Sequence, residues 1–343
     1  LDVDEPLARD LRRRARIELA EGDLEAAAQS FDRSGLPRRA GPMADALHAF
    51  MSTGRWEQAG QWCEALIRQH GQTMSQTELG SLYADLGTIR LGLKQPVAAA
   101  ASFERALSLG DERGDVLEGL GMALLSVPNR EHEGLRTIER ALPKVGKEQR
   151  IALLMLRTEA IEDSWQVADL LEAYRKEIEG HFDLVERLAH AYRSTARYDE
   201  AFAAGMRALD YANLQQRIPM LVWIGEVAYE HLADLQRALA SWNSALDLSP
   251  GCREAVDLIE KACIESEAWD LLVVNLHAQI ERFGKEEADE RYQAWERVVR
   301  LARDEMNRPD LAVMALSELL AIQDLSSTRV QLAEVLGQLD RWG

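Results

Sequence analysis

One arrangement of side chains recurs along this chain and restricts its fold more than any other feature. A small residue is followed by a bulky one four positions on, and by a second small one three positions later. It stands as Ala99, Phe103, Ala106 and as Ala238, Trp242, Ala245. Looser copies are Ala27, Phe31, Ser34; Ala59, Cys63, Leu66; and Gly134, Ile138, Ala141, with weaker ones starting at Ala168, Leu272 and Ala312. With Ala201, Gly205, Ala208 included, the first anchors lie 32, 40, 35, 34, 33, 37, 34 and 40 residues apart. A four-plus-three spacing marks one face of an α-helix. A period of this length marks a stack of supersecondary units, none able to bury its apolar side alone.

Residues 184–209 show one unit in full. Leu184, Leu188, Ala191 and Tyr192 form one apolar stripe, and "STAR" then interrupts the pattern with small polar residues. Tyr198, Ala201, Phe202, Gly205, Ala208 and Leu209 form a second stripe, whose small members let two helices approach closely. The period near 34 and this residue pattern resemble the tetratricopeptide repeat (TPR) over residues 20 to 340. Two further cues agree: "LG" inside first helices at Leu86–Gly87 and Leu120–Gly121, and "SP" closing a second helix at Ser249–Pro250.

The resemblance implies an all-α fold, a right-handed α-solenoid of nine to ten TPR-like helix-turn-helix repeats in a single domain over 1–343. The repeats are expected near 7–35, 42–70, 76–109, 112–145, 148–179, 182–212, 217–249, 252–284 and 286–322, with an incomplete one at 326–343. The two 40-residue spacings imply longer loops or helices around 70–80 and 284–305, and "RYQAWERVVRLARDEM" reads as an extended first helix. Ser327 to Gly337 reads as the first helix of a tenth unit, and "DRWG" as the start of its second. An ordinary amphipathic helix there, where a polar cap is usual, leads us to expect a piece of a longer protein. The alternation of "W-D-L-L" and "P-D-L-A" helices resembles the long repeat arrays of some bacteria.

Charge narrows the partners. The formal net charge is −18, which repels nucleic acid and anionic membranes at long range. Arg9, Arg12, Arg13, Arg14 and Arg16, with Arg33, Arg38 and Arg39, stand among as many acids and read as an ion-paired helix face. The apolar runs are far shorter than a bilayer requires. Cys63, Cys252 and Cys263 have no paired spacing, which suggests a reducing compartment or buried, inert thiols. A cytoplasmic protein is expected, with neither nucleic acid nor membrane as partner.

The sequence carries no recognisable motif for chemistry. The seven histidines form no metal-spaced set, and no Gly-rich phosphate loop or Gly-x-Ser-x-Gly turn is present. Asp115, in "RGD", is expected to cap a helix N-terminus. We therefore expect no enzyme, no cofactor and no metal.

Trp56, Trp165, Trp269 and Trp342 fall at the starts of second helices, where packing between units is expected, and Trp242 occupies a bulky anchor in the core. Trp223 lies in a first helix. First helices line the concave groove in TPR proteins, and the resemblance places Trp223 and Glu230 there, with Asp183, Glu186, His190 and Arg193 on the preceding unit. Such grooves take extended peptides or a partner's helix. The Lys, Arg and Asn that grip acidic chaperone tails in this family are replaced here by acids. The five asparagines form no ladder of the sugar-transferase kind. The expected function is an interaction scaffold for a basic or apolar peptide or helix of another protein. The alternative is a sensory or regulatory module of a larger signalling or transcription-regulatory protein.

Overall fold

The structure is a computed structural model and describes residues 5–35, 40–284 and 287–339. Among the described residues there are nineteen α-helices and no strand, so the all-α expectation holds. The chain divides into two compact units, Leu1–Glu162 and Asp163–Gly343. In the first, α1 (Glu5–Ala20) pairs with α2 (Leu24–Ser34), α3 (Ala40–Ser52) with α4 (Trp56–His70), α5 (Gln76–Gly92) with α6 (Pro96–Ser108), and α7 (Gly114–Leu125) with α8 (Glu131–Ala141). It closes with α9 (Lys147–Glu159). The second opens with α10 (Ser164–Ala173). Its pairs are α11 (Phe182–Ser194) with α12 (Tyr198–Ala208), α13 (Leu214–Glu230) with α14 (Leu235–Leu248), α15 (Arg253–Glu265) with α16 (Trp269–Arg282), and α17 (Ala288–Arg300) with α18 (Pro309–Ile322). The last helix is α19 (Ser326–Gln338). Within each unit the helices that pack are neighbours in the chain or next but one, so each unit grows by adding hairpins.

The recurring anchors are where helices meet. Ala27, Ala59, Ala99, Ala168, Ala201, Ala238, Leu272 and Ala312 are all fully buried. Phe103 packs on Gly87 of α5, where an added Cβ would stand 2.7 Å from its ring. Trp242 packs on Gly225 of α13 in the same way, and its indole N–H donates to the carbonyl of Val222 at 3.1 Å. That bond is what permits a whole indole to be buried.

Between the paired helices the turn is built one way. Gly22, Gly54, Lys94, Asn129, Ala196, Ala233, Glu267 and Asn307 all have positive φ, each two residues before a second helix and five before its anchor. The residue after several of these is an arginine at the helix N-cap. It reaches the preceding second helix: Arg55 to Glu25, Arg130 to Glu104 at 2.7 Å, Arg197 to Glu172 at 2.7 Å and Arg308 to Asp270 at 3.8 Å. The arginine in "GRW" at 54–56 and in "ARY" at 196–198 is thus a tie between consecutive pairs. The "DRWG" segment lies outside the described residues, as do Trp342, Arg38 and Arg39.

Two expectations need correction. Asp115 does not cap α7: the N-cap is Arg113, and Asp115 sits in the first turn, paired with Arg113 at 3.3 Å. Trp165, expected to pack between repeats, is 55% exposed, while Trp56 and Trp269 are half-buried. The turn before it also differs: Asp163 has φ −82 where the equivalent turn residues are left-handed, and α10 begins at Ser164, so Trp165 is the second helical residue rather than the first. The extended helix does occur, but beyond Arg300 it continues as a π-turn over Leu301–Glu305. Elsewhere, Arg14 pairs with Glu18 at 2.6 Å and Arg16 with Asp45 at 2.7 Å, as an ion-paired face requires. Burial pushes the thiols of Cys63 and Cys263 up to about 12 and about 11, which makes them poor nucleophiles.

Candidate functional site

Helices α11 and α13 are the first helices of consecutive pairs, and their side chains meet. The rings of His190 and Trp223 have centroids 4.6 Å apart, and the Arg193 guanidinium carbon lies 5.8 Å from the Trp223 ring centre. Arg193 donates to Glu230 at 3.1 Å and lies 3.8 Å from Glu226. Its Nε–H also donates to Nε2 of His231 at 3.4 Å, and His231 stacks flat on Tyr198, with ring centroids 4.1 Å apart. His190, Arg193, Trp223 and Glu230 thus form one cluster. Asp183 and Glu186 lie earlier on α11 and make no ion pair among the described residues.

Trp223 takes this position because of a gap in the repeat pattern. In α12 the bulky anchor slot holds Gly205, and a Cβ there would come within 2.8 Å of Ile224 and 3.1 Å of Trp223. The indole edge therefore lodges over α12 while its face turns to His190 and Arg193, leaving Trp223 half-buried.

Electrostatically the cluster is acid-rich. Burial raises Glu226 above the usual carboxylate range, with Arg193 opposing the shift. Burial, then the Asp183 charge, does the same to Glu186. His190 is held below its ordinary value by desolvation and by the neighbouring Arg193 cation, which favours the neutral ring. The Arg193 guanidinium thus faces two carboxylates, Glu226 and Glu230. Reading the sequence missed Glu226, Tyr198 and His231. Glu226 was within reach, lying three residues after Trp223 and four before Glu230, on one helix face. Tyr198 opens α12 and His231 caps the end of α13, and only the folded chain joins them.

The described residues hold no group of three or more His, Cys, Asp or Glu able to bind a metal ion, and no helix long and apolar enough to cross a membrane. No family model and no curated protein matches the sequence. Solved structures to which the chain is similar include a tetratricopeptide repeat protein from Parabacteroides merdae, with 13% identity over 75% of this chain and 99% of the other, at a TM-score of 0.39. A second is the TPR2AB domain of yeast Sti1 in a pHSP90 complex, with 13% identity over 91% and 99%, TM-score 0.30. A third is YrrB, described as a TPR protein with an unusual peptide-binding site, with 15% identity over 65% and 93%, TM-score 0.29. The fold assignment here rests on this chain's own helix pairs.

Proposed function

We propose that this chain is a non-enzymatic interaction scaffold of the tetratricopeptide kind, which binds a basic or apolar peptide or helix of another protein across the first helices of successive pairs. The observation that carries the reading is the Trp223 cluster. An aromatic face held in place by Gly205 below and by His190 and Arg193 beside it needs no reordering to receive a ligand, and such preorganisation spares binding its ordering cost. Half-buried tryptophan with arginine alongside is the composition of an interface hot spot. The surplus of carboxylates over the single Arg193 sets the sign of the partner.

The test is fluorescence anisotropy with labelled basic-apolar, neutral-apolar and acidic peptides. Basic-apolar peptides are expected to bind best and to weaken as salt is added. Trp223→Ala is expected to cost about 2 kcal/mol or more of binding, the usual size for a hot-spot aromatic. Preference for the acidic set, or full binding by Trp223→Ala, overturns the reading.

A further inference from the structure

A second candidate site lies in the first unit and is built from other helices than the Trp223 cluster. Helices α3, α4 and α5 enclose an open cavity of about 710 Å³. Its walls are apolar and adaptable: Leu47 and Met51 from α3, Trp56 from α4, and Met74 from the turn before α5. Unbranched methionines reshape around different apolar guests, whereas Trp56 is fixed, its indole lying where a Cβ on Gly92 would stand.

Two carboxylates line this cavity, and they differ in one respect. Glu78 is committed to the helix cap, accepting from the Ser75 backbone N–H at 2.9 Å and from its hydroxyl at 2.8 Å. Asp85, two helical turns further along α5, accepts no hydrogen bond and has no ion-pair partner among the described residues. The guanidinium that comes nearest to serving it, Arg113, is engaged by Asp111 at 2.8 Å and Asp115 at 3.3 Å. No Lys or Arg lines the cavity, and His48 is its only basic side chain. Burial already pushes Asp85 up to about 6, with Asp115 and Asp111 adding to the rise and Arg113 opposing it. The unit thus holds a half-buried negative charge beside an apolar cavity, and among the described residues no cation is ion-paired with it.

We propose that this cavity is a docking site for a partner segment that inserts a bulky apolar side chain between α3 and α5 and sets an adjacent lysine or arginine on Asp85. Charge complementarity selects the occupant, because an apolar side chain alone would leave Asp85 desolvated and unpaired. The site is separate from the Trp223 cluster and stands or falls without it.

The test uses the full chain and fluorescein-labelled peptides with a central Leu-Lys, Leu-Glu or Ala-Lys pair in Gly-Ser flanks. The Leu-Lys peptide is expected to bind saturably and about tenfold or more tighter than either control. Asp85→Asn should shrink its advantage over Leu-Glu to about threefold or less. Ala44→Trp, which fills the cavity from an exposed position on α3, should abolish binding of all three. Ser81→Phe does the same work if circular dichroism shows Ala44→Trp to be unfolded. All these titrations are made in the Trp223→Ala background, so that binding at the second-unit cluster does not contribute and the two sites are read separately. Equal binding of Leu-Lys and Leu-Glu overturns the proposal, as does binding indifferent to the cavity-filling variants or no saturable binding. A dimer that Ala44→Trp dissolves overturns it in favour of a second copy of this chain.

Discussion

Asp85 is the side chain whose cost to the fold can be measured directly. Its carboxyl is raised to about 6, chiefly by burial, so between the ordinary carboxylate range and that value the folded chain holds a proton that the unfolded chain releases. Stability therefore falls as pH climbs through that window, and the full penalty persists at neutral pH. Asp85→Asn should raise stability at neutral pH by about 1 kcal/mol, discounted because the cavity side is open to water, and should bring no gain in acid. Chemical denaturation at both pH values checks this; equal gains at the two would rule out the charge as the cause. A penalty left in place is common where a residue serves a ligand. Trp223 makes a related point. Its place in a first helix was legible in the sequence, but its half-buried state was not, because that depends on Gly205 vacating a slot in another helix.

At the scale of elements, the anchors were legible and the turns were not. Small-bulky-small spacing located the second helices because close packing leaves room for nothing else. Of the eight left-handed residues, Gly22, Gly54, Asn129 and Asn307 are ordinary turn formers, but Lys94, Ala196, Ala233 and Glu267 carry no such signal. Those four are held left-handed by the packing of the helices they join. Each non-glycine there costs about 1 kcal/mol of backbone strain. Ala196→Gly and Glu267→Gly should thus each raise the thermal midpoint, by about 0.5–1 kcal/mol of stability. Asp163→Gly should do the opposite and lose about 1 kcal/mol, because Asp163 is not left-handed and caps α10, accepting from the Trp165 N–H at 2.9 Å. A gain at Asp163 would show that the turn geometry is misassigned.

At the scale of the whole molecule, two compact units each carry a core of their own, one including Phe31, Phe50 and Trp62, the other Trp242, Trp295 and Leu316. Nearest-neighbour packing keeps damage local. Leu316→Ala should cost about 2–5 kcal/mol and strip hydrogen-exchange protection from α17–α19, with residues 5–162 unaffected. Loss of protection throughout would show one cooperative block instead. The sequence by itself determined the class of the molecule and the phase of its helices, because helical periodicity and the size of contact residues are local properties written every 32 to 40 positions. Tertiary structure alone decided where the charges were left unpaired, which tryptophan faced outward and where the array divides into units. Each of these depends on which residues from different helices arrive at the same point, and no spacing along the chain encodes that distance.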